Sequence, residues 1–210
     1  MKTKIAIESW NRKKSYVFFS NFTNPYASVT SILNVNNIVQ IAKENKLSFY
    51  GLMSYIVLKT INEIEEFKYV LENGVVYKYD KINLSFSVLT KDQSINFSKT
   101  VEFQKFDSFI LNFTNAKKEA ESNTTISYIQ DFNKCYFTCT PWMRITSVEN
   151  PMNYESTDSI PRICWGKYFL ESNVYMIDLS IQVNHAFQDG YHIGLFYHKL
   201  QKNLNNFQYE

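Results

Sequence analysis

An alternating apolar run near the C-terminal end constrains the fold of this chain more than any other stretch. Every second residue of 175–183 is apolar, which predicts a strand with one face in the core. The strand brings His185 to its end, and Asp189-Gly190 is a turn signal that opens a helix. The sequence therefore predicts a strand–turn–helix unit that holds one histidine where the structure meets a cleft.

The rest of the chain alternates between helical and strand patterns. The 3-4 spacing of apolar residues predicts a largely buried helix over 48–64, and Asn73-Gly74 predicts a hairpin turn. Asn36 and Asp107 are expected to cap two further helices. Other strands are expected at 26–35, 84–90, 95–103, 135–142 and 163–170, with irregular structure or a short helix at 121–133 and a loop at 150–161.

Helices between strands, together with frequent hairpins, exclude a purely parallel sheet. We expect an α/β (α+β) fold, a mixed β-sheet with packed helices, as a single domain over residues 1–210. The apolar content of 45%, with 17% aromatic residues, is sufficient for a sizeable core.

Composition also excludes several classes of function. The 22 basic and 20 acidic residues nearly cancel, which argues against nucleic acid as a partner. The sequence has no signal-peptide pattern and no run of 18 apolar residues, so a cytoplasmic protein without a membrane span is expected. Three cysteines without paired spacing predict free thiols and no metal site.

The chemistry expected of His185 is proton transfer. A positioned imidazole can take a proton from a hydroxyl or a thiol at physiological pH. Asp189 lies across a tight turn from it, so we expect Asp189 to brace the loop or pair with an arginine. The alternative, a histidine that only satisfies the end of a strand, stays open on these residues alone. No Gly-x-Ser-x-Gly elbow, Walker loop or Gly-x-Gly-x-x-Gly motif is present.

The stretch 182–192, with its His-x-x-x-Asp-Gly core, resembles the C-terminal signature of the chloramphenicol acetyltransferases. That core alone would indicate only the broader coenzyme A-dependent acyltransferase superfamily. The resemblance extends over nearly the whole chain, because four further motifs follow in the order and approximate spacing of the family. These are Trp10-Asn11-Arg12-Lys13, Phe49-Tyr50, Thr140-Pro141-Trp142 and Gly166-Lys167-Tyr168.

The resemblance implies a two-layer acyltransferase-like sandwich and direct acetyl transfer from acetyl-CoA to a small hydroxyl acceptor. By resemblance, His185 is the general base and Asp189 pairs with Arg12 to hold the loop. A homotrimer is implied, with each active site at a subunit interface. Tyr50, Lys167 and Tyr168 are placed along the coenzyme channel.

The sequence departs from the family pattern at several positions. Thr138 stands where a serine usually stabilises the oxyanion, and it keeps a hydroxyl donor. Chloramphenicol is thus one expected acceptor, and a different hydroxyl compound is the alternative. A third possibility is a catalytically impaired protein that only binds ligand. The acceptor-pocket positions to which these alternatives refer are Phe18, Phe19, Ala27, Asn150 and Cys164.

Overall fold

The computed structural model of the protein describes residues 1–123, 125–126, 131–153 and 158–209. Its helices are interspersed with runs of strands along the chain. The strands are β1 (Lys2–Lys4), β2 (Tyr26–Asn34), β3 (Tyr69–Glu72), β4 (Val75–Tyr79), β5 (Asn83–Leu89), β6 (Ile95–Phe97), β7 (Lys134–Thr140), β8 (Arg162–Gly166), β9 (Phe169–Glu171) and β10 (Val174–Asn184). The helices are α1 (Lys13–Phe19), α2 (Asn36–Glu44), α3 (Phe49–Asn62), α4 (Phe106–Ser122) and α5 (Gly190–Asn206).

The main sheet follows the order β2-β10-β8-β7-β5-β6, and β9 forms a hairpin with β10. Strand β10 is antiparallel to both neighbours, whereas β5, β7 and β8 run parallel to one another. A smaller antiparallel sheet has the order β1-β4-β3. The expected mixed sheet with packed helices is therefore confirmed.

Strand β10 has two chemically different faces, as its alternation predicts. Its apolar face is fully buried in the core formed with α2, α3, α4 and α5. Its opposite face is polar yet also buried, because segments that follow β7 fold over it. Asp178 pairs with Arg144 at 2.9 Å, and Gln182 accepts a 2.8 Å hydrogen bond from Asn150. Each buried polar side chain in these pairs thus has a partner.

The local patterns predict the elements better than they predict the ends of those elements. The hairpin turn is confirmed, with φ values of 50° at Asn73 and 78° at Gly74. The two expected helix caps are wrong: Val35 and Lys105 occupy the cap positions, and Asn36 and Asp107 lie inside the helices. The strand expected over 95–103 is only β6, and the strand expected over 163–170 is broken into β8 and β9. The irregular segments expected at 121–133 and 150–161 lie partly outside the described residues.

Gly166 ends β8 at a point where the backbone after β7 comes very close. A Cβ atom at Gly166 would lie 2.7 Å from the carbonyl oxygen of Met143, which accepts a 2.7 Å hydrogen bond from the backbone of Lys167. Because the obstacle is backbone, it cannot rotate away.

We expect Gly166→Ala to lower the free energy of unfolding by about 1–3 kcal/mol through overpacking. Gly194 in α5 is the matched control, since a Cβ there has no neighbour within 4 Å. Gly194→Ala is expected to raise stability by up to about 1 kcal/mol. Denaturant unfolding measures both variants, and a Gly166→Ala protein as stable as the wild type would contradict the close approach.

Within the described ranges, no helix is both long and apolar enough to span a bilayer.

Candidate active site

His185 lies directly after β10 and is held through both its backbone and its ring. Its backbone N–H donates a 2.7 Å hydrogen bond to the carbonyl of Pro25. Its ring stacks on Phe19 of α1, with centroids 4.0 Å apart and an interplanar angle of 29°. Nδ1 is buried and makes no hydrogen bond to any described residue. The ring is thus oriented chiefly by packing.

The loop after His185 is stiffened by its own backbone. Asn184 closes the turn, because its carbonyl accepts from the backbone of Phe187 and Gln188 and its side chain accepts from Ala186. Asp189 then caps α5, accepting a 3.1 Å hydrogen bond from the backbone of Tyr191. Strand end, turn and helix start therefore form one rigid unit around the histidine.

Arg12 reaches this unit from the segment that precedes α1. Its Nη1 lies 3.1 Å from Oδ2 of Asp189, and the Arg12 side chain is only 8% exposed. Burial alone would raise the pKa of Asp189, but the hydrogen bond from Arg12 and the charges of His192 and Arg12 hold that pKa below its usual value. The carboxylate therefore stays ionised and bridges α1 and α5.

Two contacts on the other side of the loop were not anticipated from the sequence. Glu66, in a 3-10 turn, accepts a 2.7 Å hydrogen bond from Gln188 through its backbone carbonyl. Its carboxylate lies 3.5 Å from Nε2 of His192, which is buried at the start of α5. The spacing Asp-x-x-His after the turn was the available signal, since it matches a capping box. Glu66 itself had no local signal.

Thr138 lies in β7 at the level of a row of small polar side chains. It pairs with Cys164 in β8, and Cys164 pairs with Ser180 in β10. Paired residues share one face of a sheet, so all three lie on the polar face. The Thr138 hydroxyl accepts a 3.2 Å hydrogen bond from Ser87 in β5. Ser87 also lines a cavity next to α3 and α4, so the Thr138 hydroxyl lies beside that cavity.

A cavity of about 490 Å³ opens between α3, α4 and the ends of β5, β7 and β8. It brings together Tyr50, Lys167 and Tyr168, the three residues predicted for the coenzyme channel. Tyr50 is part of the wall: its hydroxyl donates to the carbonyl of Ser87 at 3.1 Å, and burial raises its pKa well above the usual value. Trp142 overhangs the opening and is 64% exposed.

The predicted acceptor residues fall into separate groups. Phe18 and Phe19 lie on α1, where Phe19 contacts His185 and Phe18 is 60% exposed. Ala27 pairs with Val183 next to the end of β10. Asn150 donates from its backbone and its side-chain amide to Gln182, while Cys164 is buried in the polar row.

His185 and Thr138 are far apart within one chain. Thr138 is level with Ser180, five residues before His185, which corresponds to about 16 Å along β10 and about 10 Å across two strand spacings. The cavity lies farther from His185 than Thr138 does. Its lining includes Gly166, which follows Trp165, and Trp165 pairs with Leu179. The cavity is therefore level with the residues of β10 that precede Leu179. One copy of the chain does not bring the histidine to the cavity.

The three thiols are free, and burial keeps them protonated. Burial raises the pKa of Cys139 to about 12 and that of Cys164 to about 11, and it also raises the pKa of Cys135. At pH 8 about one Cys139 in 10⁴ is therefore thiolate, the form that alkylating reagents attack.

We expect iodoacetamide at pH 8 to leave the folded protein essentially unlabelled over an hour, even though Cys139 lines the cavity. The same reagent in denaturant should label all three cysteines, which provides the control. Mass spectrometry counts the labels. Rapid stoichiometric labelling of Cys139 in the folded protein would contradict its raised pKa.

No group of three or more His, Cys, Asp or Glu side chains in the described part of the chain could hold a metal ion.

Comparison with known proteins identifies the class. A solved chloramphenicol acetyltransferase superimposes with a TM-score of 0.90 at 27% identity, over 97% of this chain and 100% of that one. A probable dihydrolipoamide acetyltransferase from Listeria monocytogenes shares the fold, with a TM-score of 0.66 at 11% identity over 92% of this chain and 89% of that one. Fold and relatives together are those of an acyltransferase enzyme.

The family model described as chloramphenicol acetyltransferase matches residues 1–201. Chloramphenicol acetyltransferase from Clostridium perfringens is 27% identical over 208 residues, covering 97% of this chain and 95% of the relative. The enzyme from Proteus mirabilis is 24% identical over 201 residues, covering 94% and 92%. The chain belongs to the chloramphenicol acetyltransferase family.

Proposed function

We propose that this protein transfers the acetyl group of acetyl-CoA directly to a hydroxyl of chloramphenicol. The observation that carries the proposal is His185 itself: a histidine stacked on Phe19, on a loop braced by Arg12 and Asp189, in a chain whose relatives bear that activity in their names. A fixed imidazole of this kind is suited to general base catalysis.

In the proposed reaction, a ring nitrogen of His185 takes the proton of the acceptor hydroxyl as its oxygen attacks the thioester carbonyl. A tetrahedral intermediate forms, and the Thr138 hydroxyl donates a hydrogen bond to its oxyanion. When the C–S bond breaks, the imidazolium returns the proton to the departing coenzyme thiolate. No acyl-enzyme is formed, and atoms and charge balance without a metal.

The cavity supports the coenzyme part of the proposal. It is largely apolar, and its lining includes Lys167 and Lys117, the latter paired with Glu121; these cations suit a phosphorylated ligand. Tyr168 offers an aromatic ring at the same opening, packed edge-on against Tyr175. We assign Tyr50, Lys167 and Tyr168 to coenzyme binding, and Phe18, Phe19, Ala27, Asn150 and Cys164 to the acceptor side.

We propose a homotrimer, the assembly that the family resemblance implies, and the distance between Thr138 and His185 supports an active site shared between subunits. A symmetric assembly that places His185 of one subunit against Thr138 of the next would complete the site. Exposed apolar side chains support such an interface: Val17 and Phe18 on α1, next to Phe19, and Val29 and Ile32 on the edge strand β2, are each at least 40% exposed. The free thiols suit a reducing compartment, and we place the enzyme in the cytoplasm.

The assay that tests the activity is spectrophotometric release of coenzyme A from acetyl-CoA, with and without chloramphenicol. Release that depends on chloramphenicol, with the acetylated product seen by mass spectrometry, is the expected result. Acetyl-CoA binding without release on any acceptor would overturn the proposal in favour of a ligand-binding protein.

The shared site has a sharper test. His185→Ala and Thr138→Val are each expected to be nearly inactive alone, since an oxyanion donor contributes about 10²–10³ in rate. Co-expressed, they should recover activity, because about a quarter of the sites in randomly mixed trimers combine an intact His185 with an intact Thr138. No recovery in purified mixed trimers would overturn the interface site.

A second acceptor class is favoured by one observation. The amide pair of Asn150 and Gln182 presents polar groups on the sheet face that leads to His185. A site built with hydrogen-bonding groups discriminates strongly against acceptors that leave them unpaired. A panel of hydroxyl compounds in the same assay distinguishes chloramphenicol from a more polar acceptor by kcat/KM.

A further inference from the structure

The start of α5 carries a second histidine that the proposed reaction does not use. His192 is 8% exposed, although histidine is commonly found partly exposed. Its Nδ1 lies 2.8 Å from Oδ1 of Asp189, and its Nε2 lies 3.5 Å from Oε1 of Glu66. A buried ring is thus held between two carboxylates that come from distant parts of the chain.

The backbone contact of His192 determines where a ring hydrogen lies. The backbone N–H of Asp189 donates a 3.3 Å hydrogen bond to Nδ1 of His192, so Nδ1 presents its lone pair and completes the capping box at the start of α5. Nε2 is then the nitrogen that carries a hydrogen, and it faces the carboxylate of Glu66, which can accept it. The charged groups around the ring are Asp189, Glu66 and, through Asp189, Arg12.

The two oxygens of Asp189 therefore have separate partners. Oδ2 accepts from Arg12 and Oδ1 accepts from the backbone of Tyr191, while the backbone N–H of Asp189 donates to Nδ1 of His192. Glu66 also holds Gln188 through its backbone carbonyl, at 2.7 Å. The loop that carries His185 is clamped to α1 on one side and to the turn of Glu66 on the other.

We propose that His192 and Glu66 are positioning residues for acetyl transfer: they fix Asp189, and through it the orientation of His185. Neither residue lines the cavity or touches the acceptor positions named above. Their effect is therefore expected on the turnover step and not on coenzyme binding, and this inference rests on the proposed function.

Three substitutions separate the two contacts. The side-chain oxygen of His192→Asn can take the place of Nδ1 and keep an acceptor for the backbone N–H of Asp189, whereas the amide nitrogen of His192→Gln can take the place of Nε2 and keep a donor toward Glu66. His192→Phe keeps the ring volume and loses both. Misplacing a catalytic base costs up to about 100-fold in rate. We therefore expect kcat to fall about 30-fold in His192→Phe, about 10-fold in His192→Gln and about 3-fold in His192→Asn. KM for acetyl-CoA should stay within about twofold.

Exposed His198 on the same helix provides matched controls. His198→Phe and His198→Asn are expected to retain wild-type kcat. Assays well below the melting temperature of each variant prevent loss of folded protein from mimicking the effect. Equal kcat in His192→Phe and His198→Phe would overturn the positioning role, as would a loss that His192→Asn does not rescue.

A second readout does not need turnover. The chain has three histidines, so imidazole ¹H–¹⁵N spectra are assignable by comparison with His185→Ala. We expect the His185 signals to move in His192→Phe and Glu66→Gln, and to stay in place in His198→Phe. If the wild type releases no coenzyme A with any acceptor, the proposed function fails while these spectra still test the clamp. His185 signals that do not move in either variant would overturn it.

Discussion

His185→Ala is expected to reduce kcat for chloramphenicol-dependent release of coenzyme A by about 10²–10⁴, because general base catalysis contributes that much. The substitution removes a ring that packs against Phe19 but leaves the strand end anchored, since the 2.7 Å bond to Pro25 is made by the backbone. Lost ring stacking accounts for only about 0.5–1.5 kcal/mol of stability. The variant should therefore fold and assemble as the wild type does.

The matched control is His198→Ala, the same substitution at the exposed histidine of α5. It should keep the wild-type rate. Calorimetric acetyl-CoA binding to His185→Ala should stay near the wild-type value, because Tyr50, Lys167 and Tyr168, the residues assigned to coenzyme binding, are left in place. Residual activity of a tenth or more of the wild-type rate would remove His185 from the role of base.

The unit around His185 could be predicted from sequence because its determinants are local. Alternation over β10, a turn at Asp189-Gly190 and helical spacing after it all concern neighbouring residues. The predicted helix caps were wrong because the cap and the next residues differ only in backbone conformation. Asn36 and Asp107 are acceptable both at the cap and inside the helix, so the sequence does not fix which position they occupy.

Contacts that depend on topology were harder to predict. Arg12 and Asp189 are 177 residues apart, and only the resemblance to a family suggested the pair. Glu66 was missed because its turn meets the loop only after β3 and β10 are in place. The distance between Thr138 and His185 likewise depends on strand order and register, which no local pattern contains.

Removing Asp189 from its bridge with Arg12 is expected to lower the free energy of unfolding more than removing Arg12. Asp189→Ala leaves the 8% exposed guanidinium without its anion, and Nε and Nη2 of Arg12 already have no partner among the described residues. An uncompensated buried charge and a lost helix cap together should lower the free energy of unfolding by about 3–5 kcal/mol.

Arg12→Met is expected to cost less, about 1–2 kcal/mol, because Asp189 is a third exposed and can be hydrated once the arginine is gone. Lys99→Met, which breaks the exposed pair with Glu119, is the surface control and should cost less than about 1 kcal/mol. Denaturant unfolding at pH 7 measures all three. Equal losses in Asp189→Ala and Lys99→Met would show that the bridge is not a buried pair.

The pH dependence of the Asp189→Ala deficit distinguishes the charge from the packing. The pKa of Asp189 is lower in the folded protein than in the unfolded chain, so the folded state binds fewer protons between those two values. The stabilisation from the ionised carboxylate is fully present above the unfolded pKa, near 3.9, and disappears as the pH falls through the folded pKa. The difference between wild type and Asp189→Ala should thus be constant from pH 7 to about pH 5 and shrink below it. A deficit that does not change with pH would assign the loss to packing and the helix cap, leaving Arg12 without an electrostatic role in holding the loop of His185.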